Sequence, residues 1–428
     1  MSYFTINDLI SQGVQDVFVF LRPDLNTTLI DGRAPYNERI KASHKTIKKL
    51  SDAGAKTIIG AHNGRKGDPS FVSLGILLPG MPNRISGNIS YIGNTYIDDR
   101  LNTQAVQSIR GMRAGETFLL ENLRFLSGES AEKTPEEHAQ TPLIRTLIDD
   151  IGVRYYVNDS FSVSHRQQGS IVGFSELPCI AGITMEKELT AANRVLNYFA
   201  AGEKTAYVLG GAKISDYMQL IRNSLQDGRV QKIMVGGLFG NLCLYALGYD
   251  LGKPNEDLLK EKKLWKEIEN IKGMITDHKD IFVVPTDVAY NIDGERKEYY
   301  IKKIPKKALD HPVMDIGSGT IRDFSRHILA SRMVYLKGPM GVYEKENFNE
   351  GSRNILTAMA GPNANKIYTV MGGGDTSSML AEFGIPSDKI NFVSLSGGAL
   401  IMYIAGYTLP GVTVLEESYK RFNGRLQS

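Results

Sequence analysis

In the first half of the chain, arginine and histidine recur wherever a short apolar run ends. Val17-Phe18-Val19-Phe20 leads into Arg22-Pro23-Asp24-Leu25-Asn26, and Thr57-Ile58-Ile59 into Ala61-His62-Asn63-Gly64-Arg65. Phe118-Leu119-Leu120 leads into Glu121-Asn122-Leu123-Arg124-Phe125. Tyr155-Tyr156-Val157 leads into Asn158-Asp159-Ser160-Phe161, with His165-Arg166 just beyond, and Arg39 opens the first helical segment. Five arginines and two histidines at one edge of one sheet would form a basic bowl for a small polyanion. Arginine suits that role, because its planar fork binds phosphate or carboxylate through paired hydrogen bonds and keeps its proton. Asp24 and Asn26 could hold substrate hydroxyls or orient the arginines, and Asp159 reads as a partner for the cations. A surface ion pair is the better account of any single arginine, and a structural role explains either histidine equally well. What favours a site is the recurrence at successive run ends.

The second half places glycine at the same points. Gly210-Gly211-Ala212-Lys213 follows Tyr207-Val208-Leu209, and Gly236-Gly237 follows Ile233-Met234-Val235. Lys337-Gly338-Pro339-Met340-Gly341, Gly372-Gly373-Gly374-Asp375-Thr376 and Ser396-Gly397-Gly398-Ala399 complete the set. Glycine lets backbone N–H groups approach phosphate oxygens, and a helix starting behind the loop adds a favourable dipole. Lys213 supplies a cation for phosphates. Asp375 supplies a hard oxygen ligand for Mg²⁺, which takes one or two carboxylates along with nucleotide phosphates. No Walker A motif is present, and no G-x-G-x-x-G follows a strand. A tight turn explains one glycine pair; it does not explain five such loops in series.

These loops need a scaffold that brings strand ends to one edge. The runs are continuous rather than alternating, which suits strands covered on both faces. Segments of helical spacing separate them, such as Ile40 through Ile47 to Leu50 with Gly54 placed to stop the turn. Strand, helix, strand in repetition predicts parallel α/β sheets, and ligands in such sheets sit at the carboxyl ends of the strands. At 428 residues the chain exceeds what one core supports. Two doubly wound, Rossmann-like parallel-sheet lobes are therefore expected. The break falls near residues 181–203, where Leu189, Ala192, Val195, Leu196 and Phe199 share a helical face. A helix joining two lobes and a surface helix of one lobe fit that periodicity equally.

Composition narrows the class. A net charge of +3 gives no reason to expect nucleic acid or membrane as a partner. Cys179 and Cys243 each lie in an apolar run and read as buried thiols of a reducing compartment. The start, Met1-Ser2-Tyr3-Phe4-Thr5, lacks the basic and apolar stretches of a signal peptide. A cytoplasmic protein is expected.

Taken in order, the cationic and glycine motifs, together with Met185-Glu186-x-Glu188-Leu189 and Gly338-Pro339-Met340-Gly341-Val342-Tyr343-Glu344, resemble the phosphoglycerate kinases along essentially the whole chain. Ser162-Val163-Ser164-His165-Arg166-Gln167-Gln168 is most similar to the archaeal branch. The resemblance implies an N-terminal lobe over 1–184 that binds 3-phosphoglycerate through Asp24, Asn26, Arg39, His62, Asn63, Gly64, Arg65, Arg124 and Arg166. It implies a helix over 185–203 and a nucleotide lobe over 204–407, with 408–428 packed back on the first. ATP or ADP, with its Mg²⁺, would be held by Gly211, Lys213, Gly236, Glu344, Gly373, Gly374, Asp375 and Thr376, the metal by Asp375. Arg39, Lys213 and the backbone at Gly374 and Gly397 would stabilise the transferring phosphoryl. Hinged closure would then exclude water. A monomer is implied, with a homodimer as the other option.

Four positions depart from the family pattern. Tyr217 stands where a second lysine often follows Lys213, Leu336-Lys337 replaces the usual pair ending in asparagine, Pro23 replaces a β-branched residue, and Ser396 replaces a glycine. Two rival readings remain at this level. One is a different ATP-dependent acid kinase, and the other is a catalytically weak relative that binds ligands as a scaffold.

Overall fold

The computed structural model describes residues 2–81 and 89–426, apart from the side chains at positions 216, 363 and 375. The chain divides into two compact units, Met1–Thr190 with Thr408–Ser428, and Ala191–Tyr407.

The first unit carries β1 (Phe4–Thr5), β2 (Phe18–Pro23), β3 (Lys56–Ile59), β4 (Ile89–Tyr91), β5 (Tyr96–Ile97), β6 (Arg100–Leu101), β7 (Thr117–Leu119), β8 (Tyr155–Asp159) and β9 (Cys179–Ala181). Seven of these form one parallel sheet in the order β1-β9-β8-β2-β3-β7-β4, while β5 and β6 pair as a small hairpin. β7 and β8 are buried at every position, as strands covered on both faces must be. The helix Glu38–Asp52 is capped by Asn37, whose side chain accepts the Ile40 N–H at 3.0 Å. It turns Ile40, Ile47 and Leu50 into the core beside Val19, Leu21 and Ile59. Gly54, at φ +79°, ends the turn in the left-handed conformation that its lack of Cβ permits.

The helix Ile183–Ala200 follows β9 and buries Leu189, Ala192 and Val195. Its start explains Asp159. That carboxylate accepts the N–H groups of Thr184 at 2.7 Å and Met185 at 3.1 Å, so it caps a helix instead of pairing with the arginines. The division between units falls within this helix, at Thr190. The closing helix Pro410–Arg421 belongs to the first unit. Ser418 Oγ accepts the Cys179 N–H at 2.8 Å, and the Gly411 N–H donates to the Ser164 carbonyl at 2.9 Å.

The second unit carries β10 (Thr205–Leu209), β11 (Lys232–Val235), β12 (Phe282–Val283), β13 (Asp287–Ile292), β14 (Glu295–Tyr300), β15 (Val313–Ile316), β16 (Met333–Lys337), β17 (Tyr368–Gly372) and β18 (Phe392–Ser394). Six of them build a parallel sheet in the order β12-β11-β10-β16-β17-β18. The remaining three form an antiparallel sheet, β14-β13-β15, which departs from the expectation of parallel sheets alone. Its signal lay in Asp293-Gly294. Both residues have positive φ, +54° and +89°, and they join β13 to β14 as a two-residue turn. Leu244, Leu251, Val288, Tyr290 and Val313 give this sheet its own core. Among the described residues no helix is long and apolar enough to cross a membrane. Both cysteines are buried free thiols, and burial pushes Cys179 up to about 12.

Candidate functional site

Parallel pairing of β8, β2, β3 and β7 brings four run ends to one edge of the first unit. Arg22, at the end of β2, is fully buried. Its Nε donates to Ser170 Oγ at 2.7 Å, Nη1 to the Pro23 carbonyl at 2.7 Å, and Nη2 lies 2.8 Å from His62 Nδ1. A guanidinium has only donors, so His62 Nδ1 accepts and the neutral ring carries its proton on Nε2. Burial holds His62 well below its usual pKa, reinforced by the positive charges of Arg22, Arg124, Arg166 and Arg39. Arg22 thus differs from the other arginines of the expected bowl: it is buried and bonded to Ser170, Pro23 and His62, which orients the His62 ring. Ser170 Oγ in turn donates to buried Glu129 Oε1 at 2.6 Å, and the Ser170 N–H binds Oε2 at 2.9 Å. Sequence reasoning missed Ser170 and Glu129 because nothing in their local sequence marks contacts 148 and 41 residues away.

Arg39, Arg124 and Arg166 are half-buried, and Arg65 is exposed. Burial, then the charges of Arg166, Arg22 and Arg65, lower Arg124 to about 10; burial and Arg65 lower Arg166 as well. Such crowding of like charge is what an anion would relieve. Arg39 Nη1 lies 3.2 Å from Asp24 Oδ2, which also accepts from Ser162 Oγ at 2.5 Å. Asp24 Oδ1 accepts the Asn26 N–H at 3.1 Å, and Asn26 Oδ1 accepts the Gly64 N–H at 2.9 Å. The Gly64 carbonyl accepts from Arg124 Nη1. Asn63 is fully buried; its side chain accepts the Thr27 N–H at 2.7 Å and donates to the Ser70 carbonyl at 2.9 Å. Its amide is thus committed to loop structure.

In the second unit the pairing β11-β10-β16-β17-β18 gathers the glycine loops. Several of the expected N–H donors are spent within the fold. Gly210 donates to the Lys337 carbonyl at 2.8 Å, Gly211 to Pro339 at 2.9 Å, Gly236 to Leu209 at 2.9 Å and Gly237 to Met340 at 2.8 Å. Thr376 Oγ1, buried, donates to the Gly372 carbonyl at 2.9 Å and accepts the Gly338 N–H at 3.3 Å. These residues lock strand ends together, so Gly211, Gly236 and Thr376 shape the loops. A Cβ on Gly338 would stand 2.3 Å from the Gly210 carbonyl oxygen, a position only glycine can occupy. Gly373, at φ +100°, caps the helix Gly374–Glu382, and Gly397 lies beside it, an added Cβ falling 3.4 Å from Gly373 Cα. Lys213 and Glu344 are exposed on loops. The Asp375 side chain lies outside the described residues.

A family model described as phosphoglycerate kinase matches residues 6–407. The phosphoglycerate kinase of Methanopyrus kandleri is 35% identical over 414 residues, covering 96% of this chain and 98% of its own. That of Pyrococcus abyssi is 33% identical over 406 residues, covering 94% and 96%. The solved structure of Pyrococcus horikoshii phosphoglycerate kinase superposes with a TM-score of 0.87 at 31% identity, over 98% of this chain and 100% of that one. With a family model matched over residues 6–407 and relatives alike in sequence and fold over nearly its full length, the chain belongs to the phosphoglycerate kinase family.

Proposed function

We infer that the chain moves a phosphoryl group between ATP and the carboxylate of 3-phosphoglycerate, giving ADP and 1,3-bisphosphoglycerate. The first unit is assigned the acid and the second the nucleotide. The observation carrying this assignment is the cluster of Arg39, Arg124 and Arg166 around neutral His62, with Arg65 close enough to Arg124 to help burial and its other neighbours lower it to about 10. A phosphate and a carboxylate on one small molecule match that charge.

The acceptor is ionised at neutral pH, so the reaction calls for no general base. Positioning and charge stabilisation remain as the sources of rate. Asp24 holds Arg39 in place, and Arg39 is assigned to the transferring phosphoryl with Lys213 and the backbone at Gly374 and Gly397. His62, with its proton on Nε2, is a neutral donor to substrate oxygen. Asn26 and Gly64 fix the loop that carries Arg65. Glu344, Gly373 and the rest of the Gly372–Thr376 turn are assigned to the nucleotide. Among the described residues no group of three or more His, Cys, Asp or Glu side chains could cage a metal. Mg²⁺ would come carried on nucleotide phosphates and would neutralise charge developing on the transferring group; its assignment to Asp375 rests on sequence alone. A cytoplasmic monomer or homodimer, without nucleic acid or membrane partners, completes the proposal.

The test is a coupled assay of 1,3-bisphosphoglycerate formation from MgATP and 3-phosphoglycerate, beside Arg39→Ala. Turnover should fall by about 10²–10³-fold in the variant, the size seen when one preorganised charge-stabilising group is lost. Ligand binding without turnover in the unaltered chain would instead support the scaffold reading.

A further inference from the structure

Lys337 ends β16, the strand at the centre of the second unit's loop cluster. It is only 5% exposed, an uncommon state for a lysine. Its carbonyl accepts the Gly210 N–H, fixing the backbone against the Gly210–Lys213 loop. Its ammonium lies 5.9 Å from the ring centroid of fully buried Tyr217, whose hydroxyl donates to the Gly210 carbonyl at 3.0 Å. A Cβ built on Gly397 would stand 3.9 Å from Lys337 Nζ, and that same point is 3.4 Å from Gly373 Cα. One buried cation is thus held where the Gly210, Gly373 and Gly397 loops converge. Next to it Ser396 is buried, and its hydroxyl has no hydrogen-bond partner among the described residues.

We propose that Lys337 is a second phosphate-binding cation of the nucleotide unit, directed at the phosphates beyond the α-phosphate, which ATP and ADP share and AMP lacks, and held by Tyr217. The proposal rests on the nucleotide assignment above. Its physical content is an exchange of positions. The helix Ser215–Gln226 presents an aromatic ring at 217, and the cation comes from the neighbouring strand end at 337. The Tyr217 ring faces the ammonium at 5.9 Å, an attraction that favours one direction for the charge.

The experiment compares the affinities of MgATP, MgADP and AMP for the unaltered chain and for Lys337→Met, by calorimetry, with turnover measured in parallel. Loss of one charge-assisted contact should weaken MgATP and MgADP by about 10- to 100-fold. AMP, which lacks the terminal phosphates, should change by less than about twofold. A uniform loss across the three nucleotides would reduce Lys337 to a structural residue and overturn the proposal, as would no loss at all. Lys337→Gln, neutral and near in length, provides the same comparison if the methionine variant does not fold. Absence of MgADP binding or turnover in the unaltered chain would defeat the nucleotide assignment itself, a result distinct from either outcome for the variants.

Discussion

At the scale of single residues, charge and burial decide which groups can act. His62 is kept neutral by burial and by four guanidinium groups, and Arg22 fixes which ring nitrogen bears the proton. Arg22→Met should therefore weaken 3-phosphoglycerate binding through His62, and His62→Gln in that background should add little. A double-mutant cycle of substrate affinity checks this, with near-additive losses the contrary result. His44 reports on pH. Burial lowers it from 6.5 to about 4, so between those values the unfolded chain binds a proton that the folded chain does not. Stability from this group is present above about pH 6.5 and is lost as pH falls towards about 4. Asp159 has the opposite sign: burial raises it from 3.8 to about 7, so the folded state binds the extra proton and gains stability as pH falls through that window. Urea unfolding at stepped pH should show a shallower acid loss in His44→Gln than in the unaltered chain.

At the scale of elements, strand ends and helix starts are joined by single polar residues. Asp159 ends β8 and caps the helix Ile183–Ala200 through two backbone N–H groups. Asp159→Ala should cost about 1–3 kcal/mol, because buried donors lose their acceptor; denaturant unfolding at pH 8 measures it. The same device recurs in the second unit, where the Asp287 carboxylate accepts the N–H groups of Gly319 at 2.8 Å and Thr320 at 2.7 Å at the start of the helix Ser318–Leu329. Much of this level was legible in the sequence. Continuous apolar runs marked most strands of both parallel sheets, and Gly54 marked a helix end. Two-residue β1 carries too little pattern to see, and the β13-β14 hairpin was passed over although Asp293-Gly294 announced it. The role of Asp159 was hidden because a capping carboxylate and an ion-paired one look alike until the helix start is placed.

At the scale of the molecule, two compact units with separate cores carry two kinds of loop, cationic in one and glycine-rich in the other. Hydrogen exchange should localise the ligands accordingly. MgADP should protect amides within 191–407, and 3-phosphoglycerate amides within 1–190. A ligand at about 100 times its Kd stabilises what it binds by about 2.7 kcal/mol, enough to slow exchange through global opening roughly 100-fold. Protection by MgADP confined to the first unit would reverse the assignment. The sequence by itself determined the fold class and the cationic and glycine-rich halves, because strand and helix periodicity and turn chemistry are local. Tertiary structure alone decided which members of each set are tied into the fold. Arg22, Asn63, Gly211 and Gly237 belong to the motifs by type, yet each donates to partners brought close only by folding. Lys337 reads in sequence as a departure at a strand end. It becomes a buried cation among three glycine loops only when the strands are paired, since burial and proximity depend on neighbours distant in the chain.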